Sequence, residues 1–477
     1  SKEILDQIAV VNSLTPIKMS QKEKEKEEET EQTFYYQKAL LDRQFLNYPM
    51  ILSTHVSLFD TMFGDTKESV FGFHQLMNSV VVLDEIQSYK NQIWGEIICF
   101  LKEFSYLLNM KIVIMSATLP NLDILSGSAY KAVELMKDRD KYFSHPCFKE
   151  RVKVFYELLA SDNIQEDLMQ HILAKAVHGK KVLVEFIKKE SAYQFFKSLK
   201  ENPALACDVE YMSGDDSLME RSRILDNIKT NTNGIILVAT QVIEAGVDID
   251  MDIGYKNISK LDSEEQFMGR INRSCLRDGE VYFFKLDEGK NIYRDGDIRV
   301  EKRFTLEDNE MKDILLLKKF PLYYEKILDV LKRNRNDSSD DRGLDVFFKD
   351  CVGTLNWSKV KTRMQLIEED KWSMSVYLAR KITDVSEGEL DGEKLWQEYV
   401  HLLGDFAMDY AEKRVKLSEI TSKMNGFIYQ IKRNPNLIYN DKVGEIFYIE
   451  DGEKYFEDGK LNRQKLQGEI GEFVDFI

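Results

Sequence analysis

The sequence is poor in cysteine and in long apolar runs. Its five cysteines include no Cys-x-x-Cys pair, which excludes the zinc and redox motifs built on that spacing. Scattered thiols are typical of a reducing compartment, so a cytoplasmic location is expected. Apolar runs such as 112–115 and 235–239 are far shorter than the ~20 residues needed to cross a bilayer, so no membrane association is expected.

Basic residues are scarce relative to acidic ones. The chain of 477 residues carries 66 lysines and arginines against 82 aspartates and glutamates, a formal charge of −16. This balance argues against a protein that coats nucleic acid with a basic surface. A narrow basic channel inside an acidic shell remains compatible with it, because a bound strand responds to the local potential.

Two catalytic motifs are also missing. No Gly-x-x-x-x-Gly-Lys-Ser/Thr phosphate loop occurs, and no Gly-Lys pair is followed by Ser or Thr. No His-Asp dipeptide occurs either, and the six histidines are dispersed. Both absences become informative beside the motifs that the chain does contain.

Short apolar runs alternate with amphipathic stretches between Pro49 and Lys285. This alternation predicts parallel strands joined by crossover helices, with buried strands at 79–83, 111–115 and 234–240. The alternation ends near residue 287, which indicates that a different architecture follows.

The flanking regions have a different character. We predict a long helical stretch over 311–333, a polar linker over 334–341 and a small C-terminal α+β domain. The charged run 22–31 has no apolar stripe and predicts a solvated helix or a disordered insertion.

Asp84 and Glu85 follow the strand predicted at 79–83. Open α/β sheets bind ligands at the carboxyl ends of their strands. An aspartate there can hold Mg²⁺, and an adjacent glutamate can orient or deprotonate an attacking water, provided that a nucleotide supplies the remaining ligands. An acidic pair that caps the next helix is the alternative.

Ser116 and Thr118 follow the strand predicted at 111–115. Their hydroxyls are suited to bond the carboxylates and to report nucleotide state to a nucleic-acid groove. A helix N-cap is the alternative, since Ser and Thr favour that position.

Thr240 ends the strand predicted at 234–240, and Gln241 follows it. They are suited to contact a backbone phosphate, and Gly246 would allow close approach. Asp248 is suited to contact a nucleotide ribose or to pair with an arginine. An ordinary βα loop with an acidic turn is the alternative.

Gln266, Arg270 and Arg273 are spaced i, i+4 and i+7 along a helix predicted from residue 263, which places them on one face. Two arginines on one face repel unless an anion or carboxylates lie opposite. A transferring γ-phosphoryl group is such an anion, and an arginine that contacts it raises the rate by orders of magnitude. A solvated basic helix is the alternative.

These motifs occur in the order of motifs II, III, V and VI of superfamily two helicases. More closely, the chain resembles the CRISPR-associated helicase–nuclease family of type I CRISPR systems. The resemblance rests on segments 51–60, 83–89, 115–120 and 239–250. The Asp-Glu-Ile-Gln box that begins at Asp84 is a useful discriminator from other helicases.

The resemblance implies an α/β fold with two RecA-like parallel-sheet lobes, the first incomplete because it lacks its phosphate loop. A mostly helical linker and a small α+β domain follow. The implied boundaries are 1–145 for the remainder of the first lobe, 146–290 for the second lobe, 291–375 for the linker and 376–477 for the C-terminal domain.

The resemblance also implies an enzyme that uses ATP and Mg²⁺ to move along single-stranded DNA and unwind it. An RNA-guided surveillance complex that has opened an R-loop would recruit it. Catalysis would rest on Asp84, Glu85, Gln266, Arg270 and Arg273, with Asp84 as the metal ligand. Asp84 and Glu85 would also bind the nucleotide, together with Gly246 and Asp248. Coupling to DNA would involve Thr54, His55, Ser116, Thr118, Thr240 and Gln241.

The absence of the phosphate loop and of a His-Asp dipeptide limits the activity that the resemblance implies for this chain alone. Without the phosphate loop, Mg-ATP binding by this chain alone should be weak or absent, and without His-Asp the nuclease site lies elsewhere. We expect the C-terminal portion of a longer or split enzyme, with the phosphate loop and nuclease domain possible on a separate polypeptide. A degenerate motor, a general superfamily two repair or RNA helicase, and a non-catalytic DNA- or protein-binding subunit are the alternatives.

Overall fold

The computed structural model describes residues 8–19, 29–126, 131–145, 148, 151–175, 179–244, 246–289, 297–337, 343–366, 373–384 and 388–467. The chain divides into two compact units. One combines residues 1–79, 215–220 and 357–477, and the other combines 80–214 and 221–356. Most of the charged run predicted at 22–31 and the end of the linker predicted at 334–341 lie outside the described residues.

Strands and helices alternate through much of the chain. In chain order the strands are β1 (Ile8–Val11), β2 (Met50–Ser53), β3 (Val80–Asp84), β4 (Lys111–Met115), β5 (Val152–Phe155), β6 (Lys181–Glu185), β7 (Asp208–Met212), β8 (Ile235–Ala239), β9 (Ile253–Asn257), β10 (Gly279–Phe284), β11 (Ser373–Leu378), β12 (Lys381–Asp384), β13 (Gly388–Asp391), β14 (Ile428–Lys432), β15 (Asp441–Val443), β16 (Ile446–Ile449), β17 (Phe456–Glu457) and β18 (Lys460–Leu461). The helices are α1 (Glu29–Gln44), α2 (His55–Phe63), α3 (Lys67–Phe71), α4 (Trp94–Leu107), α5 (Arg139–Phe143), α6 (Ile164–Lys175), α7 (Lys189–Lys200), α8 (Leu218–Thr230), α9 (Leu261–Met268), α10 (Asn309–Leu317), α11 (Phe320–Asp337), α12 (Leu344–Phe347), α13 (Trp357–Met364), α14 (Gly392–Gly404), α15 (Tyr410–Met424) and α16 (Arg463–Gln467).

A six-stranded sheet in the order β5-β10-β9-β6-β8-β7 forms the core of the unit that holds 80–214 and 221–356. All of its pairs are parallel. Every residue of β8 is buried, as expected for a strand covered on both faces. Aromatic side chains such as Phe186, Tyr255 and Phe284 fill the core against α7. The predicted parallel α/β architecture is confirmed.

Strands β3 and β4 form a separate parallel pair in the same unit, with Asp84 opposite Met115. Leu83 is 1% exposed, whereas Val80 and Val82 on the other face are 67% and 54% exposed. Parallel strands are normally covered on both faces. The valine face, which leads directly to Asp84, is therefore uncovered by the residues that the structure describes.

The other unit has its own cores. Strands β1 and β2 pair in parallel, and a mixed sheet in the order β14-β11-β16-β15 packs against α14 and α15. Trp396 stacks on Tyr448 with ring centroids 4.7 Å apart, and its Nε1 donates to Asp441 at 3.0 Å. Mixed strands and segregated helices give this C-terminal region an α+β architecture.

The helical stretch predicted over 311–333 is divided in the structure. The structure has two helices, α10 and α11, and the intervening Lys318 adopts φ 56°. Pro321 explains the break, because proline is accommodated in the first turn of a helix but not in its interior. The residues from Asn334 to Asp337 continue α11 and do not form the predicted linker.

Within the described part of the chain, the helices lack the combination of length and apolar character that a membrane span requires.

Candidate nucleotide and nucleic-acid site

Asp84 and Glu85 form a sharp turn at the carboxyl end of β3. Asp84 is exposed, and its Oδ1 accepts a hydrogen bond from the Glu85 amide at 3.0 Å. Glu85 has φ 53° and ψ 45°, a left-handed conformation that costs a non-glycine residue about 1 kcal/mol. It precedes a 3₁₀ turn at Ile86–Ser88 but makes no side-chain cap to it. The Glu85 carboxylate is thus available to other partners.

The Glu85 carboxylate meets the helix α9. Its Oε2 accepts hydrogen bonds from Gln266 Nε2 at 3.1 Å and from Gln87 Nε2. Both Glu85 and Gln266 are half-buried. A residue suited to activate water and the segment suited to supply arginines therefore adjoin, although 181 positions separate them in the sequence.

Helix α9 ends earlier than predicted. It stops at Met268 with Gly269 as its C-cap, so Arg270 and Arg273 lie on the following turn. Met251 holds this turn, because its amide donates to the Arg270 carbonyl at 3.0 Å and its carbonyl accepts from the Asn272 amide at 2.7 Å. The predicted common helical face with Gln266 was wrong, since backbone pairing to a neighbouring segment replaces the last helical turn.

The two arginines nevertheless face polar partners around the same site. Arg270 donates from Nε and Nη2 to two backbone carbonyls of the loop after β8, at 3.1 and 2.5 Å. Arg273 Nε lies 3.2 Å from Asp248 Oδ1. Burial and Arg273 lower the pKa of Arg270, whereas Asp248 and Glu85 act to raise it. Arg270, Arg273, Asp248 and Glu85 therefore form one electrostatic cluster.

Thr240 and Gln241 lie at the carboxyl end of β8. Thr240 is 3% exposed, and its amide donates to the carbonyl of Met212 at 3.1 Å. The buried Nε2 of Gln241 has no hydrogen-bond partner among the described residues. Because an unpaired buried donor is costly, this amide fits a site that accepts an oxygen-rich ligand such as a phosphate.

Gly246 follows in the same loop with φ +72°. A Cβ added there would meet nothing within 4 Å. The left-handed backbone therefore favours glycine at this position, and close approach of a phosphate to Gly246 stays a prediction.

The Ser116 hydroxyl makes a hydrogen bond within the turn after β4, and the Thr118 hydroxyl makes one with helix α11. The Ser116 hydroxyl accepts from the Thr118 amide at 3.0 Å, and the Thr118 hydroxyl lies 3.1 Å from the Tyr324 hydroxyl of α11. Thr118 is 2% exposed. These hydroxyls thus do not make the expected bonds to Asp84 and Glu85, because the turn after β4 directs them toward α11.

Thr54 and His55 belong to the other compact unit. Thr54 is the N-cap of α2, and its hydroxyl accepts from the Ser57 amide at 3.2 Å. Its local role in this structure is therefore that of a helix cap, and His55 is half-buried in the first turn of α2.

A buried charge cluster lies behind the site, and sequence reasoning missed it. Lys256 is 0% exposed and pairs with Glu185, with Glu244 at 2.9 Å and with Glu264 at 3.7 Å. We call these four residues the Lys256 cluster. It ties the loop after β8 to α9, because Glu244 belongs to the first and Glu264 to the second. The four residues come from two strands, a loop and a helix, so no spacing in the sequence marked the group.

The three carboxyl groups of the Lys256 cluster differ in the direction of their pKa shifts. Burial raises the pKa of Glu264 to about 8 and raises that of Glu185, against the opposing effect of Lys256. Burial acts the same way on Glu244, but Lys256 and hydrogen bonds from Glu185 and Ser263 outweigh it and lower its pKa. Burial thus favours the proton on Glu185 and Glu264, whereas Lys256 favours the ionised form of Glu244.

Glu264→Gln is expected to remove a pH-dependent contribution to the free energy of unfolding. The folded protein keeps the Glu264 proton up to about pH 8, whereas the unfolded chain releases it near the ordinary value of 4.5. The stabilisation is therefore complete below pH 4.5 and is lost as the pH rises toward 8. Relative to Glu264→Gln, wild type should lose on the order of 3 kcal/mol of unfolding free energy between pH 5 and 9, measured by urea unfolding.

Glu201→Gln is the control for this comparison, because Glu201 is exposed in the same unit. It should keep the pH slope of the wild-type protein. Parallel slopes for wild type and Glu264→Gln would contradict the assignment of a buried proton to Glu264.

Asp84 provides a partial metal site. In the described ranges, no group of three His, Cys, Asp or Glu side chains is arranged to hold a metal ion. Mg²⁺ prefers one or two carboxylates together with phosphate oxygens and water. The exposed carboxylate of Asp84 fits that role when a nucleotide supplies the phosphates.

Known proteins are similar to this chain in sequence and in fold. The family profile described as CRISPR-associated nuclease/helicase Cas3, C-terminal, matches residues 178–275, which include Thr240, Gln266 and Arg273. The CRISPR-associated nuclease/helicase Cas3 of Methanothermobacter thermautotrophicus is 22% identical over 421 residues, covering 80% of this chain and 46% of its own length. The chain is therefore similar to the C-terminal part of Cas3 helicases.

Solved structures agree on the fold of this chain. The crystal structure of T. fusca Cas3 gives a TM-score of 0.54 at 13% identity, covering 85% of this chain and 54% of that protein. The crystal structure of T. fusca Cas3-ATP gives 0.50 at 13% identity with the same coverage. The chain therefore spans about half the length of the Cas3 proteins that it matches.

Proposed function

We propose that this chain is the motor portion of an ATP-dependent helicase that moves along single-stranded DNA during type I CRISPR interference in the cytoplasm. One observation carries the proposal: the 3.1 Å contact between Glu85 and Gln266. It joins motif II to motif VI in one site, with Arg270 and Arg273 beside it. An arrangement of this kind supports hydrolysis of a nucleotide between two lobes.

In the proposed reaction Glu85 orients or deprotonates the attacking water. Asp84 would hold Mg²⁺, which neutralises charge on the phosphates when bound. Arg273 is now paired with Asp248 at 3.2 Å and would exchange that partner for phosphate oxygens. Arg270 would transmit the change, because its guanidinium holds the loop that follows Thr240 and Gln241.

The proposed reaction also needs a phosphate loop, which this sequence does not contain. The uncovered face of β3 supports the addition of another α/β segment, since Val80 and Val82 lead directly to Asp84. The Cas3 relatives, about twice as long as the matched region, support the same inference. We infer that another α/β segment, covalently joined or on a separate polypeptide, supplies the phosphate loop and with it tight Mg-ATP binding.

The proposed macromolecular partners follow from the family. Single-stranded DNA is the track, and an RNA-guided surveillance complex with an open R-loop is the proposed recruiter. The matched Cas3 proteins are named nuclease/helicases, which supports a place in interference, where the unwound target DNA is degraded.

Single-stranded DNA binding by the chain alone tests this proposal. Thr240→Ala combined with Gln241→Ala should weaken binding about tenfold, because two neutral hydrogen bonds to phosphate are lost. The salt dependence should stay unchanged, since neither residue releases counterions. Fluorescence anisotropy with a labelled oligonucleotide at several salt concentrations measures both quantities.

A matched control lies at the opposite end of the same strand. Thr232→Ala combined with Asn233→Ala changes the same residue class at exposed positions before β8 and should leave binding unchanged. Equal loss in both double variants, or no loss in either, would count against a DNA site at the carboxyl end of β8.

A further inference from the structure

Arg299 is a buried charge outside every motif. It lies in a 3₁₀ turn at Ile298–Val300 and is 1% exposed. Burial of an arginine is costly unless its donors are all used. We call Arg299 and its partners Gln87, Trp94, Asp262 and Asp297 the Arg299 cluster.

All three nitrogens of the Arg299 guanidinium donate hydrogen bonds. Its Nε and Nη2 donate to the carboxylate of Asp297 at 2.9 and 2.7 Å. Its Nη1 donates to the carbonyl of Gln87 at 2.6 Å and to Asp262 at 3.2 Å, and its Cζ lies 5.3 Å from the ring centroid of Trp94. One side chain thus joins three segments that are distant in the sequence.

Two of these segments carry the site. Gln87 lies two residues after Glu85, in the turn that follows β3. Asp262 lies in the first turn of α9, four residues before Gln266 and therefore on the same helical face. Arg299 consequently bridges the same two elements that the Glu85–Gln266 contact bridges, one helical turn away.

We propose that Arg299 is a positioning residue that holds the Glu85 turn and helix α9 together. Its contribution to hydrolysis rests on the proposed function, whereas the bridge itself does not. Lysine cannot replace it, because a single ammonium lacks the planar fork that reaches Asp297, Asp262 and the Gln87 carbonyl together. The bridge preserves the distance between water-activating and arginine-bearing segments even when no nucleotide lies between them.

Hydrogen–deuterium exchange of the full chain, without nucleotide or DNA, tests the bridge. Arg299→Met should speed exchange of the amides at 85–93 and 261–270 at least tenfold, while β6 and β8 keep their protection. Arg299→Lys should behave like Arg299→Met. Arg303→Met is the matched control, since Arg303 is an exposed arginine four residues away that pairs with Glu301, and it should leave exchange unchanged.

A charge-neutral variant separates positioning from stability. Arg299→Met combined with Asp262→Asn and Asp297→Asn removes the buried charges together, so its melting temperature should recover. Exchange at 85–93 should remain fast, because the Gln87 carbonyl still lacks its donor. Recovery of protection in this variant, or a uniform loss that includes β6 and β8 in Arg299→Met, would overturn the proposal. Since the assay contains no ATP or DNA, failure of the helicase assignment would leave its result unchanged.

Discussion

Glu85→Gln is expected to reduce DNA-stimulated ATP hydrolysis at least roughly a hundredfold when the chain is combined with a polypeptide that carries the phosphate loop. The amide keeps the size of the carboxylate but cannot accept the proton of the attacking water. The hydrogen bond with Gln266 can persist through the remaining carbonyl oxygen, so the fold should be preserved. Steady-state phosphate release, with and without single-stranded DNA, measures the effect.

The control for this variant is Glu103→Gln on α4. Glu103 is exposed and lies away from the turn after β3 in the sequence, so its replacement should leave hydrolysis unchanged. Oligonucleotide binding and melting temperature should match wild type in both variants. ATP hydrolysis by Glu85→Gln at the wild-type rate would refute the assignment of Glu85 as the residue that activates water.

Lys256→Met is expected to destabilise the unit that contains the six-stranded sheet by about 3–5 kcal/mol at pH 8. It leaves Glu185, Glu244 and Glu264 buried without their cation. The penalty should shrink at pH 5, because Glu244, whose ionised form Lys256 favours, can then take up a proton, and burial already favours the proton on Glu185 and Glu264. Thermal and urea unfolding at the two pH values measure the difference.

Lys153→Met provides the comparison within the same sheet. Lys153 is exposed on β5, and its replacement should change stability by less than roughly 0.5 kcal/mol. Adding Glu185→Gln, Glu244→Gln and Glu264→Gln to Lys256→Met should restore much of the lost stability, since neutral groups then fill the site. A penalty that is independent of pH would point to lost packing and not to unpaired charge.

The sequence predicted well those strands whose carboxyl ends carry candidate site residues. The strands before Asp84, Ser116 and Thr240 were predicted to within about one residue, because continuous β-branched runs bounded by polar turns allow little else. The parallel α/β architecture followed from the same alternation. The order of motifs implied that Glu85 lies near Gln266, and the structure contains a hydrogen bond between them.

The end of helix α9 and the buried charges could not be predicted from the sequence in this way. The i, i+4, i+7 spacing around Arg270 is helical in the sequence, but pairing with Met251 ends the helix at Met268. Arg299 and Lys256 look like ordinary surface cations in the sequence, because partners such as Asp262 and Glu185 come from other segments. Such groups have no local signature, since only tertiary packing decides which isolated charges meet.

The left-handed backbone of Glu85 has a consequence for the evolution of this chain. Glycine or asparagine would relieve the strain at φ 53° and stabilise the fold, so selection for stability alone should replace the glutamate. A side chain kept where the backbone disfavours it indicates a trade of stability for activity. In a lineage that had lost its motor function, position 85 is where we expect drift toward glycine to appear early.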